Sequence, residues 1–351
     1  MTVVSAGKEG LEFMEKVVYS SLGRASPRMM VGPGRGLDNA VIALGHGQVL
    51  VVTVDPISAI PALGMPLSAW LSVHLIASDL TASGADPEFA TFSYNFPPTL
   101  GPSEREEYLR SVSAECDRLG VAVAGGNTGS YPGGGFTVIG AGTMFGLASE
   151  DGYVTPAMAR AGDAILVTKH AAIEATASLA LSFPAYVTKK VGEATAKRAR
   201  GSVRLCSTVE DARTTRKVGL GEGGITSMHD ATEGGVLGAL DEMSFASRKA
   251  FEVDVASIPV SNEAAMVCAS FGIDPLRTMG EGALLVTCRR DRVPELERKM
   301  SRGGIPVHEI GVVKEGVGLH LKRRGRRAIR FKSAPDRYWV AYEKATLSKL
   351  S

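Results

Sequence analysis

Four oxygen-bearing side chains in the first 130 residues stand beside small residues. Asp38 lies late in the glycine-rich run VGPGRGLDNA, Asp55 closes VVTVD before Pro56, Asp79 lies late in a helical stretch, and Asn127 sits inside GGNTG. Carboxylate and amide oxygens are hard ligands suited to magnesium. Neighbouring glycines let backbone N–H groups approach phosphate oxygens closely. Taken singly, each is also an ordinary turn or helix-end residue. Together, each where an element is expected to end, they point to a cleft for a magnesium-bound phosphate.

The second half offers a different set. MHDATEGG, residues 228–235, precedes an apolar helical stretch, Val236 to Met243. Asp230, Thr232 and Glu233 beside two glycines have the make-up of a helix-start anion site, or of a capped helix with no ligand. His229 is a candidate acid or base, although a lone histidine is more often packed or solvated. Glu281, between Gly280 and Gly282, would be held rigidly with room left for a substrate, which makes it a candidate base. Lys169 and His170 fall in a strand-to-helix turn where they could meet phosphate.

These residues need a scaffold. Periodicity predicts a helix over Leu11 to Leu22, a hairpin of Ala40–Leu44 and Val49–Val54 turning at 45–47, and a helix from Ser68 to Ser83. A strand over Phe89–Phe96 leads to a helix capped by Ser103, with Glu106 completing a capping box, that reaches Leu119. A strand Val121–Ala124, the loop GGNTG and a strand Phe136–Leu147 follow. The pattern restarts with the strand GDAILVTK, 162–169, a helix over 171–181 and another over 191–200. The expected division is 1–160, β-rich, and 161–351, α/β.

At 351 residues two domains are the natural expectation. Hydrophobic residues at 44% and charged residues at 22% are those of a globular protein. A net charge of +2 argues against nucleic acid or an anionic membrane as partner. The basic run 322–332 reads as a solvated hairpin turned at Gly325, with a binding patch for an anionic partner as the alternative. Cys116, Cys206, Cys268 and Cys288 show no zinc spacing, and the last two sit in apolar surroundings as core residues. A reduced, cytoplasmic setting is expected, with no targeting segment and no apolar run long enough to span a bilayer.

In order, PGRGLDNAVI, VVTVDP, SDLTASGADP, GGNTG, GDAILVTK, HDATEGG, SIPVSNEAAMVCASFGIDP, GEGALLV and EIGVV resemble the PurM-like superfamily of ATP-binding enzymes, related to AIR synthase. HDATEGG, IPVSNEA, FGIDP and GEGALLV bring the chain nearest to the HypE hydrogenase-maturation family. The resemblance implies a two-domain α/β (α+β) fold, a homodimer whose N-terminal domains share a β-barrel, and ATP with Mg2+ as cofactors. It makes Asp38, Asp55 and Asp79 the metal ligands, with Gly36, Gly125, Gly126, Asn127 and Thr128 also on the nucleotide. It gives Asp230 and Glu281 the catalytic places, and the partner is a small-molecule substrate or a maturation protein.

Two positions depart from that pattern. Asn127 stands where an aspartate is usual, removing one negative charge. The sequence ends TLSKLS, where HypE proteins usually end in a cysteine. The reaction expected is ATP-dependent phosphorylation of a carbonyl or amide oxygen. A thiamine-monophosphate-kinase-like phosphotransferase and a non-catalytic nucleotide-binding protein are the alternatives.

Overall fold

The computed structural model describes residues 7–131, 137–322 and 328–349. The chain divides into two compact units. The N-terminal unit comprises 27–32 and 38–153; the C-terminal unit comprises 154–351 together with the segments 1–26 and 33–37.

The N-terminal unit is a six-stranded sheet in the order β1-β2-β3-β6-β4-β5 with two helices. Its strands are β1 (Met29–Val31), β2 (Ala40–Gly45), β3 (Gln48–Ser58), β4 (Phe89–Phe96), β5 (Ala122–Ser130) and β6 (Val138–Ser149). In the C-terminal unit a short helix α1 (Leu11–Phe13) runs into a π-helical turn, Met14–Val18. The predicted helix to Leu22 thus stops a turn early, and the stretch buries no residue that could hold it longer.

The helices of the N-terminal unit are α2 (Met65–Ala82) and α3 (Pro102–Leu119). Helix α2 starts one residue after Gly64, earlier than expected, because Pro66 suits the first helical turn. It is buried along almost its whole length. Its hydroxyls avoid a desolvation cost by bonding back one turn: Ser68 Oγ donates to the Gly64 carbonyl at 2.7 Å and Thr81 Oγ1 to Ala77 at 2.8 Å. For α3 the cap is Gly101, not Ser103. The Glu104 carboxylate accepts the Gly101 N–H at 2.8 Å, while Glu106 pairs with Arg110.

Two strands run further than the sequence suggests. β3 continues through Asp55 and Pro56 to Ser58, in register with Gly142, Ala141 and Val138 of β6. Pro56 lacks a donor but can still pair through its carbonyl. GGNTG is not a loop but the body of β5, parallel to β4 from Phe89↔Ala122 to Phe96↔Ser130.

The C-terminal unit is a seven-stranded sheet ordered β13-β12-β9-β11-β7-β10-β8. Its strands are β7 (Ala164–Thr168), β8 (Ile225–Asp230), β9 (Ala250–Asp254), β10 (Leu284–Cys288), β11 (Val307–Lys314), β12 (Gly318–Lys322) and β13 (Ile329–Arg330). Its helices are α4 (Ile173–Ser182), α5 (Pro184–Val191), α6 (Glu193–Gly201), α7 (Val209–Arg216), α8 (Gly235–Ser247), α9 (Asn262–Phe271), α10 (Val293–Arg302) and α11 (Tyr338–Leu347). Val236, Leu240 and Met243 of α8 pack with Ile165, Val167, Phe251 and Leu285. The alternate positions Leu166, Leu284 and Val286 are also fully buried, so both faces of the central strands are covered.

Strands β12 and β13 pair antiparallel, and the expected turn at Gly325, with Arg323, Arg324, Arg326 and Arg327, lies outside the described residues. All four cysteines are reduced and buried. Burial pushes the Cys116 thiol up to about 11 and those of Cys268 and Cys288 up to about 12, so none is a nucleophile at neutral pH. Among the described residues no helix is long and apolar enough to cross a membrane.

Candidate functional site

Asp38 and Asp79 meet at Thr53, which sits two residues from Asp55 on the same strand. Thr53 is buried on β3, two residues before Asp55 and therefore on the same face of the strand. Its hydroxyl lies 3.1 Å from the Asp38 carbonyl and 3.2 Å from Asp79 Oδ2 on α2. The Asn39 side chain donates to the Asp79 carbonyl at 2.8 Å, fixing the same turn of α2 from the other side. The Asp79 side chain is nearly buried, whereas Asp38 and Asp55 are half-buried. Strand alternation could have exposed Thr53: in VVTVD the threonine and aspartate must share a face.

Asn127 and its neighbours are elsewhere. Asp55 is in register with Gly142, which pairs with Phe92, which pairs with Gly126. Three strand spacings separate them, about 14 Å within one chain. Gly125, Gly126, Asn127 and Thr128 lie exposed on the edge strand β5. A Cβ on Gly126 would stand 2.1 Å from the Phe92 carbonyl, so that glycine is needed for strand pairing, while Gly125 faces open space. Asn127 Nδ2 reaches Tyr131 Oη at 3.4 Å.

In the C-terminal unit, sheet register assembles residues far apart in sequence. Asp230 ends β8 opposite Leu284 of β10, and Leu284 N–H donates to Thr168 Oγ1 at 3.0 Å. Asp230, Glu281 and Lys169 therefore share one end of the sheet. The Gly280 N–H also donates to the Thr232 carbonyl at 3.1 Å, tying the Glu281 segment to DATEGG. Asp230 and His229 are fully buried, and His229 Nε2 lies 3.1 Å from Glu242 of α8.

Three expectations for this end need correction. Glu281 is indeed rigidly held and only 7% exposed, but its flanking glycines do not make space for a substrate. Gly282, at φ +106°, would place a Cβ 2.3 Å from the Leu205 carbonyl, and Gly280 packs on Ala231 and Gly235. The helix-start donor Gly234 N–H is already taken by Asp336 Oδ2 at 3.0 Å. Glu233 accepts from Trp339 Nε1 and from the Lys8 N–H, so the anion at this turn is the chain's own. Desolvation by burial holds the Asp336 carboxyl above its usual range.

Lys169 is not a phosphate ligand. Its ammonium meets Asp211 Oδ2 at 3.1 Å and the carbonyls of Leu205 and Ser207 at 3.1 and 2.8 Å, using all three donors in a buried ion pair. His170 Nδ1 sits 3.0 Å from the Ala171 carbonyl, and desolvation lowers its pKa. Gly36, at φ +72°, would put a Cβ 2.8 Å from the Glu242 backbone, so it serves the approach of the 33–37 loop to α8.

A two-unit α/β protein with a carboxylate set on one sheet and buried acids at one end of the other defines a class. Residues 36–148 match the AIR synthase related protein, N-terminal domain, and residues 160–323 match its C-terminal domain. The chain belongs to this PurM-like, AIR synthase related family. It is 30% identical over 296 residues to a selenide, water dikinase of Bordetella bronchiseptica, covering 80% of this chain and 78% of that one. It is 27% identical over 219 residues to the carbamoyl dehydratase HypE of Rhizobium leguminosarum bv. viciae, covering 61% of this chain and 58% of the relative's length. A crystal structure of the hydrogenase maturation protein HypE in complex with ATP superposes with a TM-score of 0.67 at 19% identity, over 95% of this chain and 98% of that chain.

Proposed function

We propose that the chain binds Mg-ATP through Asp38, Asp55 and Asp79. It would transfer the terminal phosphoryl group to a carbonyl or amide oxygen of a small or protein-borne substrate, turning that oxygen into a leaving group. The observation that carries this reading is the Thr53 hub, which holds the Asp38 backbone and the Asp79 carboxylate beside Asp55. An all-oxygen donor set with carboxylates on three different segments fits a hard divalent ion. When bound, Mg2+ would neutralise phosphate charge and orient the terminal phosphate.

The protein's own residues would mainly position and shield, as phosphoryl transfer requires. Asp55 and Asp79 stand on a strand and a helix, so their oxygens are placed by the fold rather than by a mobile loop. Asp230 and Glu281, held at one end of the C-terminal sheet, are the groups for proton management near the acceptor. The ATP-bound HypE structure and the dikinase relative support the nucleotide.

A homodimer fits the N-terminal sheet. The face opposite α2 carries Val54, Phe89 and Leu147, exposed by 63%, 45% and 40%, an apolar surface that a second copy would bury. Because Asn127 lies about 14 Å from Asp55 across the sheet, it could share a metal with that residue only from a second copy. Replacement of Asp55 by Asn tests the central reading. Mg-dependent ADP release, screened with thiamine monophosphate, aminoimidazole precursors and carbamoylated thiols, should fall by on the order of 100-fold; unchanged release rejects the assignment. Tight ATP binding with no turnover on any acceptor would favour the non-catalytic reading, to which the neutral Asn127 lends support.

A further inference from the structure

The C-terminal unit contains a cleft of about 640 Å³ that none of the assigned residues uses. That volume falls within the range of small-molecule sites. Its wall is formed by the 33–37 loop, the last turn of α8 and the start of β12 and β13. The loop is pressed onto α8 because Gly36 permits contact with the Glu242 backbone, and this fixes where Arg35 projects.

We propose that this cleft binds a dianionic phosphate monoester whose substituent is flat and apolar. Three guanidinium groups, of Arg35, Arg248 and Arg330, line it against one carboxylate, Asp241, leaving two positive charges. A phosphate monoester carries nearly two negative charges at neutral pH, and a simple carboxylate carries one.

Arg35 is built into the wall rather than solvated. It donates to Asp241 Oδ2 at 2.7 Å and lies over the Phe245 ring at 4.3 Å, with its side chain 16% exposed. Its Nε–H is sealed from solvent and meets no acceptor among the described residues. Arg248 and Arg330 are both held through their backbones, Arg248 N–H on the Phe245 carbonyl at 3.2 Å and Arg330 in the β12–β13 ladder, while their guanidinium groups make no hydrogen bond or ion pair to a described residue. Arg248 also occupies the left-handed cap of α8 at φ 54°, a place glycine would take without strain.

The apolar half of the ligand follows from the rings. Phe245 is 50% exposed although it stands on the helix that covers the sheet, and Phe331 lines the same cleft with Arg277 stacked on its ring at 4.6 Å. Phe331 is itself only 8% exposed, so a flat substituent would rest on the Phe245 ring and bury it, while guanidinium forks take the phosphate oxygens. The charge balance and the rings together define the class without reference to the Mg-ATP reading.

The test is calorimetric titration of the full chain, without magnesium, using phenyl phosphate as probe. One site per chain is expected. Affinity should fall about tenfold in Arg330→Gln and in Phe245→Ala, the loss of one charged hydrogen-bonding group or one ring contact. Asp55→Asn should bind as the parent does, and benzoate should bind at least about tenfold more weakly than phenyl phosphate. Both substituted side chains are solvent-facing, and a thermal midpoint close to the parent's shows that the variants fold. Absence of binding, parental affinity in both cleft variants, loss in Asp55→Asn, or benzoate binding as tightly would each overturn the proposal.

Discussion

The two sheets of this protein treat their polar residues in opposite ways. In the N-terminal unit one face lies under α2 and the other is open. In the C-terminal unit both faces of β7, β8 and β10 are buried. A half-open sheet can present carboxylates at the margin of its core, so Asp38 and Asp55 remain partly accessible around a buried threonine. A fully covered sheet must satisfy its ionic groups internally, and Lys169, Asp211 and Asp336 are spent in that way. Residues that look equally functional in sequence therefore divide into accessible carboxylates and buried structural pairs according to the layer they fall in.

The largest effect that could break this contrast is on stability. Lys169→Met leaves Asp211 charged and buried, and urea unfolding should show a loss of about 3–5 kcal/mol; a neutral outcome would release Lys169 from its structural role. Asp55→Asn should reduce Mg-dependent turnover by on the order of 100-fold with little change in unfolding midpoint. A matched pair of glycines sharpens the comparison further. Gly282→Ala must displace the Leu205 carbonyl and should cost about 2–4 kcal/mol. Gly125→Ala, with nothing within 4 Å, should stay within about 0.5 kcal/mol in the same denaturation assay.

Thr53→Val keeps the shape but removes the shared hydroxyl. Mg-ATP affinity should fall about tenfold, and an unchanged affinity would show that the three carboxylates need no hub. The smallest effect concerns Asp336. Its folded-state pKa is raised by burial, so the folded chain holds that proton more tightly than the unfolded one. The associated stability is present in acid and is lost as pH rises from the ordinary carboxylate range through the folded value. The fall in unfolding free energy over that window should be shallower in Asp336→Asn, and an identical slope would place the titration elsewhere.

Much of the scaffold was legible because local rules govern it. Gly45-His46-Gly47 between two apolar runs does turn a hairpin, and the strands Phe89–Phe96 and Ala164–Thr168 follow their apolar patterns. GGNTG reads as a loop because glycine and asparagine favour turns; pairing with β4 overrides that preference. Ser103 looked like a cap because it precedes a polar helix, but the helix begins at Pro102 and its first free donor, Gly101 N–H, lies within reach of Glu104.

The sequence by itself determined the family, through the order of its motifs, and the two-part α/β plan, through periodicities set by neighbouring residues. It also supplied Asp38, Asp55 and Asp79 as oxygen donors, since side-chain chemistry travels with residue type. Only the tertiary structure decided that Thr53 joins them, that Asn127 lies three strands away, and that Lys169 and the glycines around Glu281 serve packing. Strand register and burial fix those outcomes, and both arise from contacts between residues far apart in the chain.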